Sequence, residues 1–143
     1  MTTRVLILCT GNSARSQMAE GLLRTFGGHG FEVRSAGTNP SLVRPEAIAV
    51  MAERGIDISS HRSKHVEAFI GERFDYVITV CDSASESCPV FPGAPRRIHW
   101  SIPDPAAIQG TGEQRREAFR RACDALSDKL QGFVRGLQPE VGR

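Results

Sequence analysis

Cys9 and Arg15 stand six positions apart and enclose the segment Cys9-Thr10-Gly11-Asn12-Ser13-Ala14-Arg15-Ser16. With 4 Cys and 16 Arg in 143 residues, such a pair is expected about 0.4 times by chance, so its context has to carry the argument. A short apolar run ends at the cysteine, small residues fill the interval, and Gln17-Met18-Ala19-Glu20 follow as a helix start. A small-residue loop between a buried strand and a helix N-terminus turns successive backbone N–H groups inward and makes a nest for a tetrahedral oxyanion. Arg15 closes the nest with a planar bidentate fork. The same field favours a thiolate at Cys9, because cysteines at helix N-termini fall from about 8.5 into roughly the 3.5 to 7.5 range. Ser16 is placed to donate a hydrogen bond to that sulfur. The competing reading is a buried cysteine that ends a core strand, with an unrelated surface arginine.

Three more cysteines need separate readings. Cys81 and Cys88 flank Asp82-Ser83-Ala84-Ser85-Glu86-Ser87, and Pro89, Pro92, Gly93 and Pro95 follow. Zinc sites usually show cysteine pairs two to four apart with a second pair, and here His99 alone lies nearby, so no metal is expected. A redox pair and two unrelated thiols both remain open. Cys123 falls on an apolar helical stripe and reads as a packed core thiol. Asp104, between Pro103 and Pro105, reads by itself as a turn former. His29, His61, His65 and His99 are single, without metal-ligand spacing, and read as surface or hydrogen-bonding residues.

The elements that must position these groups are short. Val5-Leu6-Ile7-Leu8 and Tyr76-Val77-Ile78-Thr79-Val80 are continuous apolar runs, the pattern of central parallel strands buried on both faces. Phe31 to Ser35 alternates and Arg97 to Trp100 is short, as edge strands are. Helices are predicted over 16–26, over 45–54 with Pro45 in its first turn, and over 113–137. In the last, Phe119, Ala122, Cys123, Leu126, Leu130, Phe133, Val134 and Leu137 form one face, expected to pack on the sheet. The fold class is therefore α/β, a small single domain over 1–143 with a four-stranded parallel sheet flanked by helices. In such sheets ligands bind beyond the carboxyl ends of the strands, where Cys9 and Cys81 both fall.

Composition narrows the partners. A net charge of +2 with dispersed basic residues lacks the dense basic face that nucleic acid demands. The apolar run near Met1 is too short for a signal-peptide core or a membrane span, so a cytoplasmic location is expected, with no membrane. In a reducing compartment, four cysteines are reactive, metal-bound or buried rather than permanent staples. No cofactor is expected.

The loop, together with Gln17-Met18-Ala19-Glu20-Gly21, closely resembles the thioredoxin-coupled arsenate reductases related to low-molecular-weight protein tyrosine phosphatases, and the resemblance runs from about Arg4 to the last helix. It implies that Cys9 is the nucleophile and that Thr10, Gly11, Asn12, Ser13, Ala14, Arg15 and Ser16 form the oxyanion cradle. Asn12, Arg15 and Ser16 would bind the oxyanion or activate the sulfur. Ala14 departs from the further cysteine many reductases carry there, which lies outside the redox triad. Cys81, Cys88 and Pro89 match the resolving cysteines, a pair the phosphatase branch lacks. The resemblance also implies that Asp104 is the general acid that protonates the departing oxygen. Ala106 stands where a phosphatase would place Tyr to grip an aromatic substrate, which favours a small inorganic oxyanion. Glu20 and Ser35 match positions that join the loop Asn in a potassium site in some reductases. Lys64 stands near the position of a further carboxylate ligand, and its ammonium is expected to replace potassium by neutralising Glu20 and holding Asn12.

The implied reaction begins with Cys9 attacking arsenate. Cys81 then attacks Cys9 with loss of arsenite, Cys88 attacks Cys81, and thioredoxin reduces the resulting disulfide. A monomer is expected. A low-molecular-weight protein tyrosine phosphatase is one alternative, and a non-catalytic thiol-based redox or arsenite sensor is another. If 81–88 were helical throughout, seven steps of about 1.5 Å would hold the two Cα atoms roughly 10 Å apart. That exceeds the ~7 Å a disulfide tolerates, so closure would require local unfolding.

Overall fold

The computed structural model describes residues 2–137. Four strands, β1 (Thr3–Cys9), β2 (Phe31–Gly37), β3 (Tyr76–Thr79) and β4 (Arg96–His99), form one parallel sheet in the order β2-β1-β3-β4. The continuous apolar runs occupy the two central places and the alternating and short segments the two edges. Val5, Leu6, Ile7 and Leu8 are wholly buried, because β1 is paired on both sides and covered on both faces.

The chain leaves β1 for β2 on one side and later enters β3 on the other, so the strand order reverses between β1 and β3. That switch point opens a crevice at the carboxyl ends of the two strands. Leu8 is in register with Thr79, so Cys9 and the residues just after β3 emerge together at one end of the sheet.

Helix α1 (Arg15–Gly27) lies along β1 and β2, and α2 (Pro45–Glu53) and α4 (Gly112–Leu137) pack on it. The expected stripe of α4 is buried at Phe119, Ala122, Cys123, Leu126, Leu130 and Val134. Its main partners are α1 and α2 rather than the sheet. The sheet is reached through Phe133, whose ring meets Tyr76 at 5.0 Å and Phe31 at 6.1 Å. The reason is spatial: α1 already lies over β1 and β2, leaving α4 a surface that is mostly helix. Cys123 sits in that interface with its thiol 3.7 Å from the Met51 sulfur, and burial pushes it up to about 11, as an inert core thiol should be.

A short helix absent from the strand-and-helix pattern, α3 (Asp82–Glu86), follows β3. Cys81 is its N-cap and Ser87 its C-cap. Cys88 therefore lies beyond the helix, and the separation expected for a helix spanning 81–88 does not apply. The reason is local: Ser and Asp compete for backbone hydrogen bonds, and Pro89 disfavours helical geometry at Cys88.

Candidate active site

Six peptide carbonyls run from Cys9 to Ala14, and each is held from outside the loop. Those of Cys9, Thr10, Gly11 and Ser13 accept from the amides of Thr38, Asn39, Ser41 and Arg44, at 2.8–3.2 Å. The Asn12 carbonyl accepts from Ser63 Oγ at 2.7 Å and Gln17 Nε2 at 3.1 Å, and that of Ala14 from the Met18 amide. In a planar trans peptide the N–H points opposite the C=O, so carbonyls pinned outward turn the following amides inward. Asn12 completes the curvature with a left-handed φ of 47°, a conformation Asn tolerates better than most residues. Helix α1 begins at the end of this loop, and no side chain caps its first turn. Its orphan N–H groups thus face the same cradle as the loop amides, which is a seat for an anion.

Gly37, at the end of β2, is what lets the loop close. A Cβ there would meet the Thr10 carbonyl and, at 2.9 Å, the Asn12 amide. This is a close approach of two backbones that only glycine permits.

Beneath the loop lies a buried polar network. Asn12 Nδ2 donates to Ser16 Oγ at 2.8 Å and to Ser35 Oγ at 3.0 Å, and Ser35 Oγ donates to Glu20 Oε1 at 2.5 Å. Asn12 Oδ1 accepts from Gln17 Nε2 at 3.0 Å and from the Lys64 amide at 2.9 Å. Because Asn12 supplies the hydrogen to Ser16 Oγ, the Ser16 hydroxyl hydrogen is free for Cys9.

Lys64 corrects an expectation. Its ammonium donates to the Arg62 carbonyl at 2.8 Å and its backbone N–H holds Asn12. Glu20 attracts the Lys64 charge, but its direct ion pairs are with Arg24 at 2.8 Å and His61 at 3.8 Å. Arg24 is one helical turn beyond Glu20, so its guanidinium reaches the carboxylate along α1, while burial makes a lysine ammonium costly and lowers Lys64. The oxygens that the resemblance assigned to a potassium site are thus already engaged by Gln17, Lys64, Ser35 and Arg24. This donor set does not fit an added cation. Among the described residues no group of three His, Cys, Asp or Glu side chains is arranged to hold a metal.

The Cys9 thiol is held at about 5, well below its ordinary range. The largest cause is its hydrogen bond with the Cys81 thiol; burial opposes, and the Ser16 side chain and amide and the charge of Arg15 add to the lowering. Cys81 is pushed strongly the other way, first by the same hydrogen bond and then by burial, while Thr10 and the Ala84 amide favour its ionised form. The Thr10 hydroxyl lies 3.2 Å from the Cys81 sulfur. The resting pair is therefore a Cys9 thiolate beside a Cys81 thiol. Cys88 is half-buried, its thiol raised by burial and directed to the Pro89 carbonyl at 3.6 Å. All four cysteines are free.

Arg15 Nη1 donates to the Ile102 carbonyl at 2.9 Å, tying the loop to the segment that carries Asp104. The Asp104 carboxylate is exposed and caps its own turn, accepting from the Ala106 amide at 3.0 Å. The supporting residues that sequence reasoning missed are Gln17, Ser63, His61 and the 38–44 segment. The 38–44 segment acts through backbone amides, which no residue type signals, whereas Gln17, Ser63 and His61 act through side chains whose partners lie far along the chain or beneath the loop.

The family model for low molecular weight phosphotyrosine protein phosphatases matches residues 4–143. The chain belongs to this family. Within it, one curated relative is an arsenate reductase of Halalkalibacterium halodurans, 40% identical over 130 residues, 91% of this chain and 94% of the relative. A solved arsenate reductase in a phosphate-binding state superposes with a TM-score of 0.78 at 32% identity, covering 96% of this chain and all of the other. A thioredoxin-dependent arsenate reductase of Corynebacterium glutamicum gives a TM-score of 0.69 at 27% identity, over 96% of this chain and 64% of its own. The expected fold of the family is the fold observed.

Proposed function

We propose that the protein reduces arsenate to arsenite by a three-cysteine relay. One observation carries the reading: the ends of β1 and β3 bring a second thiol, Cys81, beside the oxyanion loop, where the Thr10 hydroxyl of that loop lies 3.2 Å from its sulfur and where Cys81 and Cys9 shift each other's ionisation. Phosphate ester hydrolysis needs a nucleophile, an arginine and an acid, and has no use for a neighbouring thiol.

The steps follow from the charges. The Cys9 thiolate attacks arsenate held by the loop amides and Arg15, and Asp104 protonates the departing hydroxide, giving a thiol-arsenate adduct. Forming the adduct removes the anion beside Cys81, so the main cause that raises Cys81 disappears while Thr10 and the Ala84 amide still stabilise its thiolate. Cys81 then attacks the Cys9 sulfur, the sulfur–arsenic bond breaks, and arsenite leaves with the electron pair. Cys88 attacks Cys81, Cys9 leaves as a thiolate back into its cradle, and the Cys81–Cys88 disulfide is left for a reductant. The Corynebacterium relative supports thioredoxin in that role.

The reading takes residues 1–143 as one domain acting as a monomer in the cytoplasm. Among the described residues no helix is long and apolar enough to cross a membrane. Phosphotyrosine hydrolysis is the second reading, favoured by the family itself and needing Cys9, Arg15 and Asp104 alone. A coupled assay with thioredoxin, thioredoxin reductase, NADPH and arsenate decides between them. Arsenate-dependent NADPH oxidation that requires Cys81 is expected; aryl phosphate turnover without it would favour the phosphatase.

A further inference from the structure

Of the three thiols in the relay, Cys88 alone has no hydrogen-bond donor to favour its thiolate. Cys9 has Ser16 and Arg15, and Cys81 has Thr10 and the Ala84 amide. The Cys88 sulfur instead faces an acceptor, the Pro89 carbonyl, and burial disfavours its ionisation, with the nearby Arg97 only partly opposing. The thiolate is the nucleophile in disulfide exchange, so the final exchange needs a base.

Cys88 lines a cavity of about 80 Å³ with Thr79, Arg97 and His99. Arginine cannot accept a proton, so His99 is the base in that lining. Its two nitrogens are both committed: Nε2 lies 2.8 Å from Asp82 Oδ1 and Nδ1 2.8 Å from Thr79 Oγ1. A carboxylate only accepts, so in the neutral ring the hydrogen sits on Nε2 and the lone pair on Nδ1, turned to the hydroxyl. A hydroxyl, an imidazole and a carboxylate in this order are the arrangement by which enzymes make a base of histidine. Asp82 is itself held low, first by His99, then by Ser101, with the charge of Arg15 contributing. The charged and titratable groups around the ring are therefore Asp82 on α3, Arg97 on β4, Cys88, and Arg15 beyond Asp82.

Resting on the relay reading, we propose that His99 is the general base of the last exchange. It takes the Cys88 proton at Nδ1 by way of the Thr79 hydroxyl, with Asp82 as the positioning carboxylate. The Cys88 sulfur then bonds to Cys81, the Cys81–Cys9 bond breaks, and Cys9 leaves as a thiolate. The oxidising equivalent comes from arsenate in the earlier steps, so no further oxidant is needed.

His99→Gln is the test, because a glutamine can keep both hydrogen bonds but cannot act as a base. Reduced enzyme is mixed with arsenate without thioredoxin, quenched with an alkylating reagent, and its disulfides are mapped by mass spectrometry over time. Wild type is expected to pass quickly to Cys81–Cys88. His99→Gln should form Cys9–Cys81 at the wild-type rate but convert it about 10²- to 10⁴-fold more slowly at pH 7, the usual contribution of a positioned base. The deficit should shrink as pH rises and Cys88 ionises unaided, and Asp82→Asn should fall between the two. Conversion by His99→Gln within a few-fold of wild type from pH 6 to 9, or a slowing of both steps that pH does not relieve, would overturn the base. No arsenate-dependent disulfide in wild type would reject the relay itself.

Discussion

The oxyanion loop and the segment from Cys81 to Phe91 face each other across the switch point of the sheet, yet they are held in opposite ways. Every carbonyl of the loop from Cys9 to Ala14 has a partner, and Asn12, Ser16, Gln17, Glu20 and Ser35 beneath it are buried and bonded to one another. The other segment has one five-residue helix, and between Cys81 and Phe91 only Ala84 is buried; Val90 is 86% exposed. A group that must stabilise developing charge works best when its dipoles are already in place. A thiol that must travel from one sulfur to another needs a segment that opens at low cost, and few buried contacts are what make local opening cheap. The rigid side is suited to binding and the loose side to transfer.

The largest effect should come from removing the sulfur at the rigid side. Cys9→Ser is expected to abolish arsenate reduction and any aryl phosphate hydrolysis together, since both need the same nucleophile; substantial turnover of either substrate would break the assignment. Cys88→Ser removes the far end of the loose side. It should complete about one reduction per molecule and then stall with Cys9 bonded to Cys81, which quench and mass analysis would reveal; sustained turnover with thioredoxin would break the relay. Asp104→Asn is predicted to slow the first chemical step by about 10²- to 10⁴-fold while leaving oxyanion affinity nearly intact. If single-turnover rates hardly change, Asp104 only caps its turn.

Thiol reactivity sharpens the contrast at a smaller scale. Because the folded pKa of Cys9 is lowered to about 5, its alkylation by iodoacetamide should be nearly constant from pH 6 to 8 and fall as pH drops through about 5. Cys88, raised by burial, should instead react faster with each step upward in pH through the same range. The smallest effect is predicted beneath the loop. Since Arg24 neutralises Glu20 and the Lys64 amide, not its ammonium, holds Asn12, rate and melting temperature should be indifferent to potassium over sodium at equal ionic strength. Lys64→Ala should cost about 1 kcal/mol or less, since the half-buried ammonium gives up one hydrogen bond, to the Arg62 carbonyl. A potassium-specific gain would mean the network rearranges to admit the ion.

The rigid half was the more legible in sequence, because Cys9, Arg15 and the intervening small residues are chemically distinctive and lie within one short stretch. The four strands were legible for a similar reason, since burial on both faces leaves continuous apolar runs and an edge does not. The short helix after β3 was not, because Asp82 to Glu86 bury too little to write a period. The role of Lys64 was legible only in part: its charge is attracted by Glu20, but Asn12 is held by its backbone amide, which residue type does not signal.

By itself the sequence determined which atoms can react: a cysteine ahead of a helix, an arginine six residues on, and two further thiols beyond the third strand. Those are properties of residue types and local spacing, which hold before any long-range contact forms. Only the tertiary structure decided what surrounds them. The reversal of strand order put Cys81 at the Cys9 sulfur, Gly37 let two backbones meet so that residues 38–44 could pin the loop carbonyls, and β4 carried His99 to Asp82. That Cys9 and Cys81 share one end of the sheet was legible, but the Gly37 approach and the 38–44 amides act through backbone groups that every amino acid possesses, and His99 meets Asp82 through the pairing of β4 with β3, so no local pattern of side chains could have announced these.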